Sequence, residues 1–169
     1  MRRRHKCTMD DYDKKMIQNI EEHGWQCSHI FDPDQKDPDF SYSVGFMKTL
    51  GCPEFIVFGL NKELMHSMLW KIFRDIESGV KPHEGQVWSN LLEGFDCIIR
   101  EVNPDNIHMN YLNSAKWFWN THLGNSEPVE AYQVVWPGAA TGHFPWDDDC
   151  PQEITDMQPA LYLPDLPEY

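Results

Sequence analysis

The chain has 169 residues and a formal net charge of −13, with hydrophobic residues at 41% and aromatics at 13%. That length suits one domain with a core of its own, and the apolar content argues against a disordered main body. The acidity repels phosphate backbones and removes nucleic acid from the expected partners; without a run of about 18 apolar residues, no membrane contact is expected either.

Five cysteines (Cys7, Cys27, Cys52, Cys97, Cys150) are scattered, odd in number and without a Cys-x-x-Cys pair. This usage fits a reducing cytoplasm better than a disulfide framework. The basic run Arg2-Arg3-Arg4-His5-Lys6 is not followed by an apolar stretch, so residues 1–8 read as a solvated basic tail rather than a signal sequence.

Thr8 and Asp11 open a capping-box-like start, and Tyr12, Met16 and Ile20 recur at helical spacing with Ile17 beside them. A helix is predicted over 9–23, closed by Gly24. Residues 25–31 are rich in strand formers, and 32–39 form a polar turn with two prolines.

In residues 40–46, Phe40, Tyr42, Val44 and Phe46 alternate with Ser41, Ser43 and Gly45, a period-two strand with one large and one small face. The continuous apolar run from Phe55 to Leu60 predicts an interior strand over 53–60. Asn61 caps a helix whose Leu64, Met65, Met68, Leu69, Ile72, Phe73 and Ile76 form one broad stripe, ended by Gly79. His66 lies beside that stripe and reads as a boundary position.

Residues 80–93 read as a loop with a short helical turn, 95–102 as a strand, and Met109 to Asn120 as a helix. A last strand over 129–136 stops at Pro137 and Gly138. After Trp146 the chain turns acidic and proline-rich, and residues 148–169 are expected to hold little regular structure, either wrapped on the surface through Leu161, Tyr162, Leu163 and Leu166 or mobile. The order of elements predicts a single α+β domain over 9–147, with a mostly antiparallel sheet of about five strands packed against two or three helices.

At these motifs the chain resembles the bacterial domain-of-unknown-function family numbered 4262. The resemblance rests on Gly24-Trp25, Phe40-Ser-Tyr-Ser-Val-Gly-Phe46, Cys52-Pro-Glu-Phe-Ile-Val-Phe-Gly-Leu60, Gln133-Val-Val-Trp-Pro-Gly138 and Gly142-His-Phe-Pro-Trp146. Order and spacing agree across most of 18–147. The chain departs from the family pattern at Cys52, where a histidine is usual, at Gly138 for an acidic residue and at His143 for an arginine. The resemblance implies the fold and a cytosolic bacterial or phage setting, and no activity.

The candidate catalytic residues are Glu54, a carboxylate at the start of a buried strand, and His143, held in a tight turn among aromatics. Tyr42, Ser43, Gly45, Gln133, Trp136 and Trp146 would line a ligand cleft between the Tyr42 strand and the Trp136–Trp146 segment. Each also has an ordinary structural role: a half-buried strand face, a strand-end carboxylate, a histidine bonded to backbone. No metal site and no cofactor is expected, since metal-ligand spacing, a nucleophile elbow, a phosphate loop and a dinucleotide fingerprint are all missing. In Trp117-Phe118-Trp119, helical spacing predicts one tryptophan in the core and the other at a boundary, a potential partner anchor.

Two function classes follow. The first is a cytosolic binding or interaction protein, inhibitor- or immunity-like, drawing a basic protein partner by charge or pairing as a homodimer. The second is a small enzyme or small-molecule binder using the cleft.

Overall fold

The computed structural model describes residues 9–109 and 111–163. Six strands form one open sheet: β1 (Gln26–Ile30), β2 (Phe40–Val44), β3 (Glu54–Phe58), β4 (Val87–Leu92), β5 (Phe95–Glu101) and β6 (Ala131–Val135). Their spatial order is β1-β2-β3-β6-β5-β4, antiparallel throughout except for the parallel β3–β6 pair. The helices among the described residues are α1 (Asp11–His23), α2 (Phe46–Leu50), α3 (Lys62–Glu77), α4 (Pro104–Met109), α5 (Asn113–Lys116) and α6 (Gln152–Met157). The fold is therefore α+β with a mostly antiparallel sheet, as the sequence predicts, with one strand more than expected.

β3 sits at the centre because its side chains suit burial on both faces; every residue from Glu54 to Phe58 is buried. One face carries Phe55, Val57, Val134, Cys97 and Ile99, and α3 packs on it through Met65, Met68, Leu69, Ile72 and Phe73. Burying each such side chain contributes roughly 1.5–3 kcal/mol, so the stripe outweighs helix propensity in holding α3. The Trp88 indole N–H on β4 donates to the Asp75 carboxylate of α3 at 2.8 Å, which ties the two elements together.

The opposite face carries Tyr42, Val44, Ile56, Phe58 and Ala131. It is covered by Met16 and Ile20 of α1, by Ala115 of α5, by Phe118, and by Leu161 from the C-terminal segment. α1 begins at Asp10, whose side chain accepts the Asp13 N–H at 2.8 Å; Thr8, the predicted cap, lies outside the described residues. Gly24 closes α1 in the left-handed conformation, as expected.

Four local differences from the sequence reading have physical causes. β2 stops at Val44 because Gly45 takes φ 108°, and the chain then forms α2 instead of two more strand residues. Residues Val87–Leu92 form β4 rather than a loop; Asn90 at φ 69° breaks its alternation and shifts the register between Trp88 and Leu92. The predicted helix from Met109 to Asn120 is divided by Leu112 at φ 61°, and α5 widens into a π-helical turn over Trp117–His122. There Phe118 is the buried residue, while Trp117 and Trp119 are both half-buried against the same core. Finally, the segment after Trp146 contains α6, which was not expected; Leu161 and Tyr162 do pack on the domain, as the wrapped alternative has it, and Leu166 lies outside the described residues.

Candidate functional site

Glu54 opens β3 and is 1% exposed. Its carboxyl group accepts the backbone N–H of Phe46, that of Met47 at 3.3 Å and the Ser43 hydroxyl at 3.4 Å. The Ser43 oxygen in turn accepts the Phe55 N–H at 2.9 Å. Gly45 aims these donors: a Cβ there would lie 3.0 Å from the Gly24 carbonyl oxygen and 3.2 Å from Ile20. Burial pushes the Glu54 carboxyl up to about 8, against the backbone donors of Met47 and Phe46 that lower it. Burial thus favours the protonated form of Glu54, whose bonds join β2, β3 and α2. A cavity of about 10 Å³ adjoins it, lined by Gly45, Met47, Ala115, Phe118 and Trp119, with room for about one water.

The other predicted site residues are placed by the sheet register. Tyr42, Ile56, Gln133 and Arg100 form one row across β2, β3, β6 and β5, so Tyr42 and Gln133 share a face two strands apart. The Tyr42 hydroxyl accepts the Ser114 N–H at 3.1 Å beneath α5. The Gln133 amide donates to the Pro159 carbonyl at 2.9 Å and accepts the Leu161 N–H at 3.0 Å. Gln158 reciprocates, accepting the Trp136 N–H at 3.0 Å and donating to the Trp136 carbonyl at 2.8 Å.

Two glutamines therefore pair the C-terminal segment to β6 through side chains instead of a strand ladder. Trp136 turns to the opposite face and donates its indole N–H to the Phe58 carbonyl at 2.8 Å. Trp146 stacks on Phe144 at 5.1 Å, and the Arg100 guanidinium lies between the rings of Trp146 at 4.9 Å and Tyr162 at 4.3 Å. Arg100 also pairs with Glu84 at 2.7 Å.

Where a cleft was expected between the Tyr42 strand and the Trp136–Trp146 segment, Gln158, Pro159 and Leu161 bond to Gln133 and Trp136, and Leu161 joins the core cluster of Tyr42. The His143 Nδ1 is buried and makes no hydrogen bond among the described residues. Neither the small cavity at Glu54 nor the larger groove described next brings Glu54 and His143 together.

That groove, of about 810 Å³, runs along β1 on the face carrying α3. Cys27 and His29 of β1 and Trp25 form its floor; Lys62, His66 and Trp70 of α3 form one wall, and His23 at the end of α1 closes one side. Trp25 is buried, with its ring centroid 5.7 Å from His66 and 6.2 Å from Trp70. Trp70 is 40% exposed and stacks on Phe73, with Arg74 4.7 Å from its ring. His29 Nδ1 meets the Ser41 hydroxyl at 2.8 Å, and burial lowers its pKa despite Asp39, 3.8 Å from Nε2. Burial pushes the Cys27 thiol up to about 11, so it is protonated and poorly nucleophilic at neutral pH. No cluster of three or more metal-ligating side chains occurs among the described residues. The groove offers aromatic faces, imidazole rings and a few polar contacts.

Sequence reasoning passed over this wall. A signal was present: Lys62, Glu63, His66, Ser67 and Trp70 recur at three- and four-residue spacing beside the apolar stripe of α3, marking a second face.

The architecture is that of a single-domain α+β protein built on an open six-stranded sheet with one grooved edge. The chain belongs to the family described as a domain of unknown function (DUF4262), which it matches over residues 19–151. That span holds all six strands and ends just before α6. No curated protein and no solved structure matches the chain.

Proposed function

We propose that this chain is a cytosolic binding protein, inhibitor- or immunity-like in its mode of action, that holds its partner in the groove along β1. The observation that carries the reading is the 810 Å³ groove itself, walled by the half-exposed Trp70 at a sheet edge. Its size lies in the range of ligand sites, and aromatic walls with few polar groups suit recognition by shape. The thiol in it, Cys27, holds its proton at neutral pH, because burial pushes it up to about 11.

A second reading, a small enzyme with Glu54 as its proton-transfer group, draws on the raised pKa of Glu54 and the cavity beside it. That cavity admits no more than a water, and Glu54 already bonds to three groups of its own chain. Binding at β1 is the better supported role.

Screening small-molecule fragments and displayed peptides against the whole chain, with tryptophan fluorescence as readout, tests the reading. Ligands should perturb Trp25 and Trp70, and Trp70→Ala should abolish their binding while the fold is kept. Ligands whose affinity is indifferent to Trp70→Ala, Gln26→Ala and His66→Ala would move the binding surface elsewhere.

A further inference from the structure

We infer that the natural occupant of the groove is a basic, extended segment of another protein, which adds to β1 as a further strand of the sheet. The inference rests on the groove being the binding surface and goes on to name what fills it.

The two edges of the sheet differ in a way that points to strand addition. Edge strands expose unpaired backbone donors and acceptors, and proteins commonly blunt them with bulges, prolines or lysines. β4 is blunted: its register slips between Trp88 and Leu92, and Asn90 sits at φ 69°. β1 has none of these devices. It pairs in unbroken register with β2 from Gln26 to Ile30, contains neither proline nor lysine, and has no strand on its other side among the described residues.

Apolar surface continues past its end, with Ile30 42% and Phe31 64% exposed. A strand laid along β1 would point alternate side chains toward the groove face, where Trp70 offers contact, and the rest away from it.

Charge selects the partner. The turn leaving β1 carries Asp32, Asp34, Asp37 and Asp39 against the single cation Lys36. The N–H groups of Asp34, Asp37 and Lys36 bond to the Asp32 carboxylate and keep it ionised. Glu63 of α3 adds a further negative charge, and among the described residues Lys62 is the one lysine or arginine lining the groove. This field attracts lysine and arginine. It also disfavours a second copy of the chain, because each copy carries a net charge of −13.

Synthetic peptides of about ten residues test the inference on the whole chain. One alternates Lys and Val, a second alternates Glu and Val, and a third is the Lys-Val peptide with every backbone nitrogen methylated, so that neither edge can donate. The Lys-Val peptide should bind, slow amide exchange within Gln26–Ile30 and release as salt rises. The Glu-Val and methylated peptides should not bind. Asp34→Asn and Asp37→Asn, both on the exposed turn, should each weaken the Lys-Val complex about two- to fivefold with unchanged circular dichroism.

Equal binding of the methylated or acidic peptide would overturn the inference, as would no binding of the Lys-Val peptide. Protection of Gln26–Ile30 by self-association without peptide would make a second copy the occupant and overturn it too. Ligands that perturb Trp70 but leave the exchange of Gln26–Ile30 unchanged would overturn strand addition while leaving the groove as the binding surface.

Discussion

The two sides of the sheet treat their polar groups in opposite ways. On the β5–β6 side, Gln133, Gln158 and Arg100 are buried, and their bonds go to the chain's own backbone and to Glu84. The C-terminal segment is held down by them, so that surface is closed. On the β1 side, no strand pairs with the backbone edge among the described residues, and the aromatic wall is half exposed. Buried polar residues therefore mark self-recognition in this molecule, whereas the proposed binding surface lies where a strand edge and a half-exposed aromatic wall meet solvent. Sequence motifs drew attention to the closed side because its residues are unusual for a core.

That contrast can be broken from the closed side first. Arg100→Ala removes an ion pair, a bond to the Leu163 carbonyl and two aromatic contacts, and should cost about 3 kcal/mol in urea unfolding. A loss below about 0.5 kcal/mol would show that the strap does not depend on it.

Glu54 comes next. Its carboxyl is raised from 4.5 to about 8. Between these values the unfolded chain has lost the proton and the folded chain keeps it, so stability should fall as pH rises through that window, by a few kcal/mol in all. Glu54→Gln mimics the neutral acid and should flatten the dependence of Tm on pH between pH 5 and 8. An unchanged slope would mean that other groups set it.

Gln158→Ala strips both partners from the Trp136 backbone and should cost about 1–3 kcal/mol, read in the same unfolding experiment, with amide exchange at Trp136 accelerated. The smallest effect belongs to the open side. Trp70→Ala should cost about 1–2 kcal/mol, because the ring is 40% exposed yet stacks on Trp25 and Phe73. A larger loss of stability would recast Trp70 as core and weaken its role as a binding wall.

Much of the fold was legible in the sequence because its signals are local. The Phe55–Leu60 run announces a strand buried on both faces, and Asn61 with the stripe that follows announces α3, capped as expected by the Asn61 side chain on the Leu64 N–H. β4 was hidden because Asn90 interrupts the alternation of Trp88 and Leu91, and α2 because Gly45 ends a strand whose next residue, Phe46, still fits the pattern. α6 offers no buried residue of its own and gave no periodic signal.

Glu54 was correctly placed at the start of a buried strand, yet its bonds to Phe46 and Met47 depend on a left-handed Gly45 that composition does not reveal. The groove was invisible for a different reason. Which strand lies at an edge depends on the order in which strands pair, and that order is set by contacts distant in sequence, such as β3 with β6.

The parallel β3–β6 pair has a consequence for biosynthesis. β3 ends at Phe58 and its neighbour begins at Ala131, so a nascent chain leaving the ribosome carries its most apolar strand with one hydrogen-bonding side vacant for more than seventy residues of elongation. Premature termination before Ala131 would leave that strand permanently exposed, and such fragments should aggregate more readily than the finished polypeptide.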